Sequence, residues 1–379
     1  MRNNRIVHKI LHIIESFDRG AVEAWLLEMA KENNKSSALF EWHFFTILPT
    51  KGTKDELAKG EGCLIHRSTV GLDQPFLMLR ELRSLIRQEG FDIIHAHHDI
   101  LSGLYALAAM GCNPKFVVHS HNNDFHLPVK KWKRHILIPI FRTLIKWRAC
   151  SVLSISQYTL TNFIEQLNWK SNNAHVIYYG IELPPRMGKN AEITSFRGLK
   201  LLFVGRLIEE KGPLFALNVA LELCKLRSSV AIYFVGEGDE LASLESVAKA
   251  SPKELHVSFM GWRNDVDEIM RSCDVFLFPR DVNRIEGFGF VMLEAQANGL
   301  LCAISRGISE DTIVCNELCR YMEEMDERKW AETIHEWESN TTITNEMKLS
   351  RGRERVASEK SISRSFNDLL QFYENIMAS

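Results

Sequence analysis

The feature that most constrains this chain is an alternation of short apolar runs with amphipathic helical stretches, kept up over most of its 379 residues. Short runs that are apolar throughout fit strands buried on both faces. Parallel neighbours of that kind need a crossover, usually a helix. Strands are expected at 6–14, 38–47, 91–96, 115–119, 149–155 and 174–177, with helices at 21–33, 75–88, 101–110, 129–147 and 158–167. A second series follows, with strands at 199–204, 230–235, 255–259, 274–278 and 301–304 and helices at 213–226, 240–249, 266–271 and 290–297. The remaining C-terminal stretch reads as helical. Between the series, PPRMGKNAEIT at 184–194 has no apolar period and carries Pro, Gly and polar residues, as a linker does. The expected architecture is α/β. It has doubly wound domains at 1–183 and 196–360, a linker at 184–195 and a separate terminal stretch at 361–379. Ligands of such folds bind outside the carboxyl ends of the strands, so a cleft shared by two facing domains is where chemistry is expected.

Composition narrows the partners. With 46 basic and 48 acidic residues the chain has no global pull toward nucleic acid. Its eight cysteines are scattered without a CxxC pair, as in a reduced cytoplasmic protein. The opening MRNNRIVHKILHIIESF is basic and then apolar, but Glu15 and Asp18 follow at once, so it reads as a first strand rather than a signal peptide. No run approaches the roughly 18 uncharged apolar residues of a membrane span. Contact with a membrane would be made from its surface.

The densest chemistry lies in FPRDVNRIEGFGFVMLEAQANG at 278–299, where an apolar strand leads through a polar loop and a Gly-x-Gly turn into a helix. Gly287 and Gly289 let backbone approach a ligand, and the open N–H groups of a helix start favour a phosphate. Glu286 precedes the turn and Glu294 lies inside the helix, so the two carboxylates flank that anion site. An extended nucleotide diphospho-sugar fits, one carboxylate toward sugar hydroxyls and the other toward the ribose diol. A bare pair of glutamates is more commonly a solvated loop charge and a helix charge. Glu294, however, sits between Leu293 and Ala295 in an apolar helix, where an unpaired carboxylate is costly, so a partner is expected. Upstream, LLFVGRLIEEKGP at 201–213 ends a strand in Gly205 and Arg206, with Lys211 five residues on. Both cations can reach one diphosphate. An ion pair with Glu209 or Glu210 is the ordinary alternative.

The order and spacing of VGRL with EKG, VGEGD at 235–239, DVFLFPR at 274–280 and the E-x7-E segment resemble the retaining glycosyltransferase family 4, whose fold is the two-domain GT-B type. The resemblance covers the second domain and extends more weakly over the first. It implies that Arg206 and Lys211 bind the diphosphate, that Gly287 to Gly289 cradle it, and that Glu286 contacts the transferred sugar while Glu294 contacts the ribose. Gly205, Gly236, Phe288 and Phe290 join the donor-binding set on the same basis. It also implies that the last helix, about 362–377, crosses back to the first domain.

In the first domain the family's Gly-Gly-x-Glu loop corresponds to RGAVEAW, with Gly20, Ala21 and Glu23 on the acceptor side; alanine replaces the second glycine. Glu23 reads equally as a first-turn helix charge. Histidines cluster at His95, His97 and His98 and at His119 and His121, each group at a strand end. Metal hydrolases use such spacings, but the only nearby acids are Asp99 and Asp124, and no metal is assigned. The resemblance favours His121 as a contact to the donor sugar. For His95 and His97 strand-end packing is the commoner role.

The stretch 130–148 holds seven Lys or Arg and no acid, interleaved with Trp132, Ile136, Ile138, Phe141, Ile145 and Trp147. It fits a helix lying on an anionic bilayer and, equally, a helix packed on its sheet with a solvated basic face. The resemblance implies sugar transfer with retention, without a metal or other cofactor. The donor would be UDP- or GDP-linked and the acceptor a glycan or lipid-linked hydroxyl in bacterial capsule or exopolysaccharide assembly. Catalysis would rest on Glu286, His121, Arg206 and Lys211, on the cytoplasmic side and at the inner face of the plasma membrane if the basic helix binds there. Three rivals stay open: a GT-B epimerase or hydrolase, a metal-dependent hydrolase built on the histidines, and a non-catalytic donor-binding subunit.

Overall fold

A computed structural model describes residues 7–18, 20–36, 40–122, 130–183 and 188–378. The chain forms two compact units, one of residues 1–180 with 362–379 and the other of 181–361.

The first unit holds seven strands: β1 (His8–Ile14), β2 (Phe40–Thr46), β3 (Leu64–Arg67), β4 (Ile93–Ala96), β5 (Lys115–Ser120), β6 (Ser151–Ser154) and β7 (Ala174–Val176). They lie in the order β3-β2-β1-β4-β5-β6-β7, every pairing parallel. The second unit holds β8 (Leu199–Val204), β9 (Val230–Val235), β10 (Leu255–Phe259), β11 (Val275–Phe278), β12 (Leu301–Ile304) and β13 (Cys319–Tyr321), in the order β10-β9-β8-β11-β12-β13 and again parallel throughout. In each sheet the winding reverses once, between β1 and β4 and between β8 and β11. The carboxyl ends beside such a reversal form a crevice where ligands of doubly wound sheets bind.

The sequence reading passes over β3, β13 and the short helix Asp55–Gly60. LIHR and CRY are too short and too polar to show a strand period, and they are edge strands that gain their place by pairing with β2 and β12. The stretch expected as a linker lies in the second unit. Its residues 184–187 fall outside the described ones, but Ala191–Ser195 is a helix whose start is capped by the Asn190 side chain, and Ile193 is wholly buried. The expected strand and helix starts at 6, 38, 39 and 129, and Asp124, also lie outside the described residues.

The helix Ile362–Ala378 belongs to the first unit. It buries Phe366, Leu369, Phe372 and Tyr373, and its Ser365 hydroxyl accepts from Trp25 Nε1 at 3.0 Å and donates to the Tyr178 carbonyl.

The two faces of the first sheet differ in kind. On one, Leu11, Ile13, Ile94, Ala96, Phe116 and Val118 form part of an aliphatic and aromatic core. On the other, the alternate positions are His12, His95 and His119, continued past the strand ends by His97 and His121, all buried. In the second unit both faces are apolar, as fully covered parallel sheets require.

Candidate active site

In the second unit the candidate site forms where β8 and β11 end. β8 runs into Gly205, and the backbone of the turn after β9 comes so close that a Cβ on Gly236 would fall on the Gly205 carbonyl oxygen. Gly236 also has φ 136°, a conformation that other residues rarely adopt. The next turn, Glu209–Lys211, closes on Gly212 at φ 70°, where a Cβ would strike the Pro279 carbonyl. Asp281 N–H donates to the Glu210 carbonyl at 3.2 Å, so this turn is stitched to the end of β11.

That stitching brings the charges together. Lys211 Nζ donates to Glu286 Oε2 at 2.5 Å, and Arg280 Nη1 lies 2.8 Å from the same oxygen. Arg280 also approaches Glu210 at 3.7 Å and gives its Nε–H to the Arg284 carbonyl at 2.6 Å. Arg206 and Arg284 complete the group, at 3.7 and 3.1 Å from Glu210. Four cations face two carboxylates, which leaves an excess of positive charge suited to a diphosphate. Arg206 has 71% of its side chain exposed and, among the described residues, only a long contact to Glu210, so it can turn to a ligand. Lys211 is mostly buried over the Phe278 ring, and burial lowers its ammonium's pKa against the opposing pull of Glu286.

Glu286 is held by its backbone, its N–H donating to the Gly307 carbonyl at 2.8 Å. The helix Phe290–Ala297 then starts at Gly289 with no side-chain cap, its positive dipole end facing the turn. Gly289 is needed inside the protein, since a Cβ there would press on the Phe278 ring at 3.2 Å. Phe288 is buried and meets Phe290 edge to face, 5.7 Å between centroids. The helix is anchored by buried Gln296, whose amide donates to the Met292 and Thr312 carbonyls and accepts from the Val314 and Cys315 N–H groups.

Glu294 does not have the protein partner expected for it. Among the described residues no hydrogen bond or ion pair reaches its carboxylate, and burial with Asp267 nearby raises it to about 7. Part of its side chain stays open to solvent. An acid left unsatisfied in this way is what a ligand hydroxyl pair can satisfy.

Sequence reasoning missed Arg280 and Arg284 as members of the site, while Glu210, named as the ion-pair alternative, does lie 3.7 Å from Arg206. Arg280 stands at the end of DVFLFPR and reads as a loop charge; only its 9% exposure marks it as structural. An Asp-x-Asp pair also occurs in this unit, but Asp265 is taken up by Arg263 at 2.7 Å and Asp267 by Asn298 at 2.7 Å.

Comparison with known proteins decides the family. The "Glycosyl transferases group 1" profile matches residues 195–354, which contain every donor-side residue named above, and the "Glycosyltransferase Family 4" profile matches 43–183. The chain is a glycosyltransferase of the family 4 type. Among its relatives, the transferase is 24% identical over 344 residues to the capsular polysaccharide biosynthesis glycosyltransferase CapH of Staphylococcus aureus, covering 86% of this chain and 89% of that one. It is 27% identical over 274 residues to the UDP-Gal:alpha-D-GlcNAc-diphosphoundecaprenol alpha-1,3-galactosyltransferase of Escherichia coli, covering 68% and 69%. In fold it is similar to Anabaena HepE, solved in complex with UDP, with a TM-score of 0.75 at 17% identity over 97% of this chain and 100% of that chain. Its two parallel α/β units are thus of the GT-B type.

The transferase's remaining candidates lie in the first unit. Gly20 caps the helix Ala21–Lys35, and the Glu23 side chain folds back so far that a Cβ on Gly20 would meet its carboxylate. Burial raises the Glu23 carboxyl. Ala21 is exposed at the helix start. His121 is buried with both ring nitrogens engaged, Nδ1 with Tyr179 Oη at 2.5 Å and Nε2 with His97 Nδ1 at 2.9 Å. His95 bonds Tyr373 Oη at 2.6 Å and His119 at 3.2 Å; His98 bonds Tyr105 Oη at 2.9 Å. His12, hidden in the apolar strand HKILHII, joins them through His97 at 3.0 Å and was not foreseen.

Proposed function

We propose that this transferase moves a sugar, with retention at the anomeric carbon, from a UDP- or GDP-linked donor to a hydroxyl of a glycan or lipid-diphosphate-linked acceptor in bacterial surface polysaccharide assembly. The observation that carries the reading is the cation-rich group Arg206, Lys211, Arg280 and Glu286 beside the uncapped start of the Phe290–Ala297 helix. CapH and the E. coli galactosyltransferase support the polysaccharide and lipid-linked parts by their named roles.

In this reading Arg206 and Lys211, with the helix start, hold the donor diphosphate and stabilise it as it leaves, in place of a metal ion. Lys211 has protons for both a phosphate oxygen and Glu286, so Glu286 stays aimed at the sugar while the phosphate binds. Glu294 takes the ribose diol. The departing phosphate helps to deprotonate the acceptor hydroxyl, and the protein supplies position and charge. His121, its nitrogens committed within the first unit, acts by positioning.

The helix Lys131–Arg148 supports a place at the cytoplasmic face of an anionic membrane. Phe141 and Ile145 face the core, while Trp132 and Trp147, each about three-fifths exposed at 60% and 61%, share a stripe with exposed Ile136 and Ile140. Lys131, Lys133 and Lys146 flank that stripe. Among the described residues no helix is long and apolar enough to cross a membrane.

A panel of nucleotide sugars, followed by nucleotide release with and without lipid-linked acceptors, tests the assignment. Release that needs an acceptor, falls in Glu286→Ala, survives a chelator and gives an axial-to-axial product by NMR supports it. Equal release without acceptor would favour the hydrolase or epimerase reading instead.

A further inference from the structure

The histidine-lined face of the first sheet has a feature that packing does not account for. Five imidazoles, His12, His95, His97, His119 and His121, are buried together, and neighbouring rings stand 4.2 to 5.5 Å apart. They form two hydrogen-bonded chains. One runs from Tyr179 through His121 and His97 to His12, the other from Tyr373 through His95 to His119. Among the described residues each chain ends on a buried nitrogen with no partner, Nε2 of His12 and Nε2 of His119. Leaving a buried polar atom unbonded is costly, and the His119 nitrogen, beside two further ring nitrogens, calls for a ligand.

Two triads place one ring nitrogen from each member within 4.8 Å of one another: His12, His95 and His97, and His97, His119 and His121. They share His97, so the cluster holds one ion rather than two. We propose that His97, His119 and His121 bind one borderline-soft transition-metal dication, with zinc the best fit, as a structural ion of the first unit.

The choice of triad follows from the second ring nitrogen of each member. With His119 ligating through its orphaned Nε2, its Nδ1–H donates to His95 Nε2. With His121 ligating through Nε2, its Nδ1–H donates to the Tyr179 oxygen. With His97 ligating through Nδ1, its Nε2–H donates to His12 Nδ1. Every ligand then has its tautomer set by an outer partner, as metal-binding histidines require. In the other triad, ligation through His12 Nδ1 leaves Nε2 with no such partner among the described residues, and ligation through Nε2 leaves the His119 Nε2 unsatisfied. His97 Nδ1 and His121 Nε2 are now 2.9 Å apart, and a tetrahedral zinc with bonds of about 2.0–2.1 Å needs about 3.3–3.4 Å, a small parting. Burial keeps all three imidazoles neutral, the form that binds metal. The Asp99 carboxyl accepts from the His121 backbone N–H at 2.7 Å and so fixes the strand end that carries this ligand.

The test uses the full chain, stripped with a chelator, equilibrated with zinc chloride, desalted and assayed for metal. Cobalt substitution gives the coordination from its visible bands. The expected result is one zinc per chain, a higher melting temperature with metal than without, and four- or five-coordinate cobalt. His119→Gln should lose the metal and the melting shift, while His98→Gln, outside the triad, should keep both. Wild-type protein that retains well under one equivalent overturns the proposal whatever the variants do. Retention by His119→Gln equal to wild type overturns it too. Should His119→Gln fail to fold by circular dichroism, His121→Gln takes its place with the same two readings.

Discussion

Lys211 and Glu286 meet at 2.5 Å, so the residue proposed to bind phosphate is already paired, and its removal has two separable effects. Lys211→Ala should lower kcat about 10²- to 10³-fold, the cost of losing one donor to developing charge. Stability should fall less, because Arg280 still holds Glu286 at 2.8 Å. Arg280→Ala should cost more in melting temperature than Lys211→Ala, since it removes a mostly buried cation that contacts both Glu286 and Glu210; equal losses by calorimetry would count against its role as the clamp. Glu294 gives a pH prediction. Its carboxyl is raised to about 7 in the folded chain from an ordinary 4.5, so the folded form binds the proton more tightly. The residue therefore costs stability above its ordinary value, fully so above about 7, and costs nothing below 4.5 where both forms are protonated. Glu294→Gln should stabilise the chain by about 1 to 3 kcal/mol at pH 8 and by almost nothing at pH 4. Donor affinity should fall at the same time, a trade between stability and binding.

At the scale of elements, Gly236 and the helix Ile362–Ala378 show what local order depends on. Gly236→Ala should cost at least about 3 kcal/mol, strain at φ 136° adding to a collision with the Gly205 carbonyl. Urea unfolding would read it. For the helix Lys131–Arg148, Trp132→Ser with Trp147→Ser should abolish co-sedimentation with vesicles rich in anionic lipid and leave the far-UV spectrum unchanged; undiminished binding would remove the membrane contact. Strong apolar periods made most strands and helices legible, including Phe290–Ala297 to the residue. β3 and β13 were not legible because their order comes from pairing rather than from their own four and three residues. The candidate residues Arg206, Lys211, Glu286 and Glu294 stand out in the sequence because glycines and charges punctuate apolar runs there. Arg280 and His12 could not. One looks like any loop arginine and the other like a polar interruption in an apolar strand, and only burial and partners distinguish them.

At the scale of the whole molecule, each unit has its own parallel sheet and its own core, and the donor-side residues all belong to the second. Binding should therefore be visible as added stability of the unit that holds the ligand, about 2.7 kcal/mol at a hundredfold excess over Kd. Arg206 offers the cleanest probe of the central claim, because among the described residues its exposed side chain makes only one ion pair, at 3.7 Å. The measurement is calorimetric titration of UDP and GDP into the wild type and Arg206→Ala, with melting temperatures in parallel. The account predicts that the nucleotide the wild type binds is held roughly 10- to 100-fold more weakly by the variant, the loss of one charge-assisted bond, at an unchanged melting temperature. Equal affinity in the two proteins would contradict it.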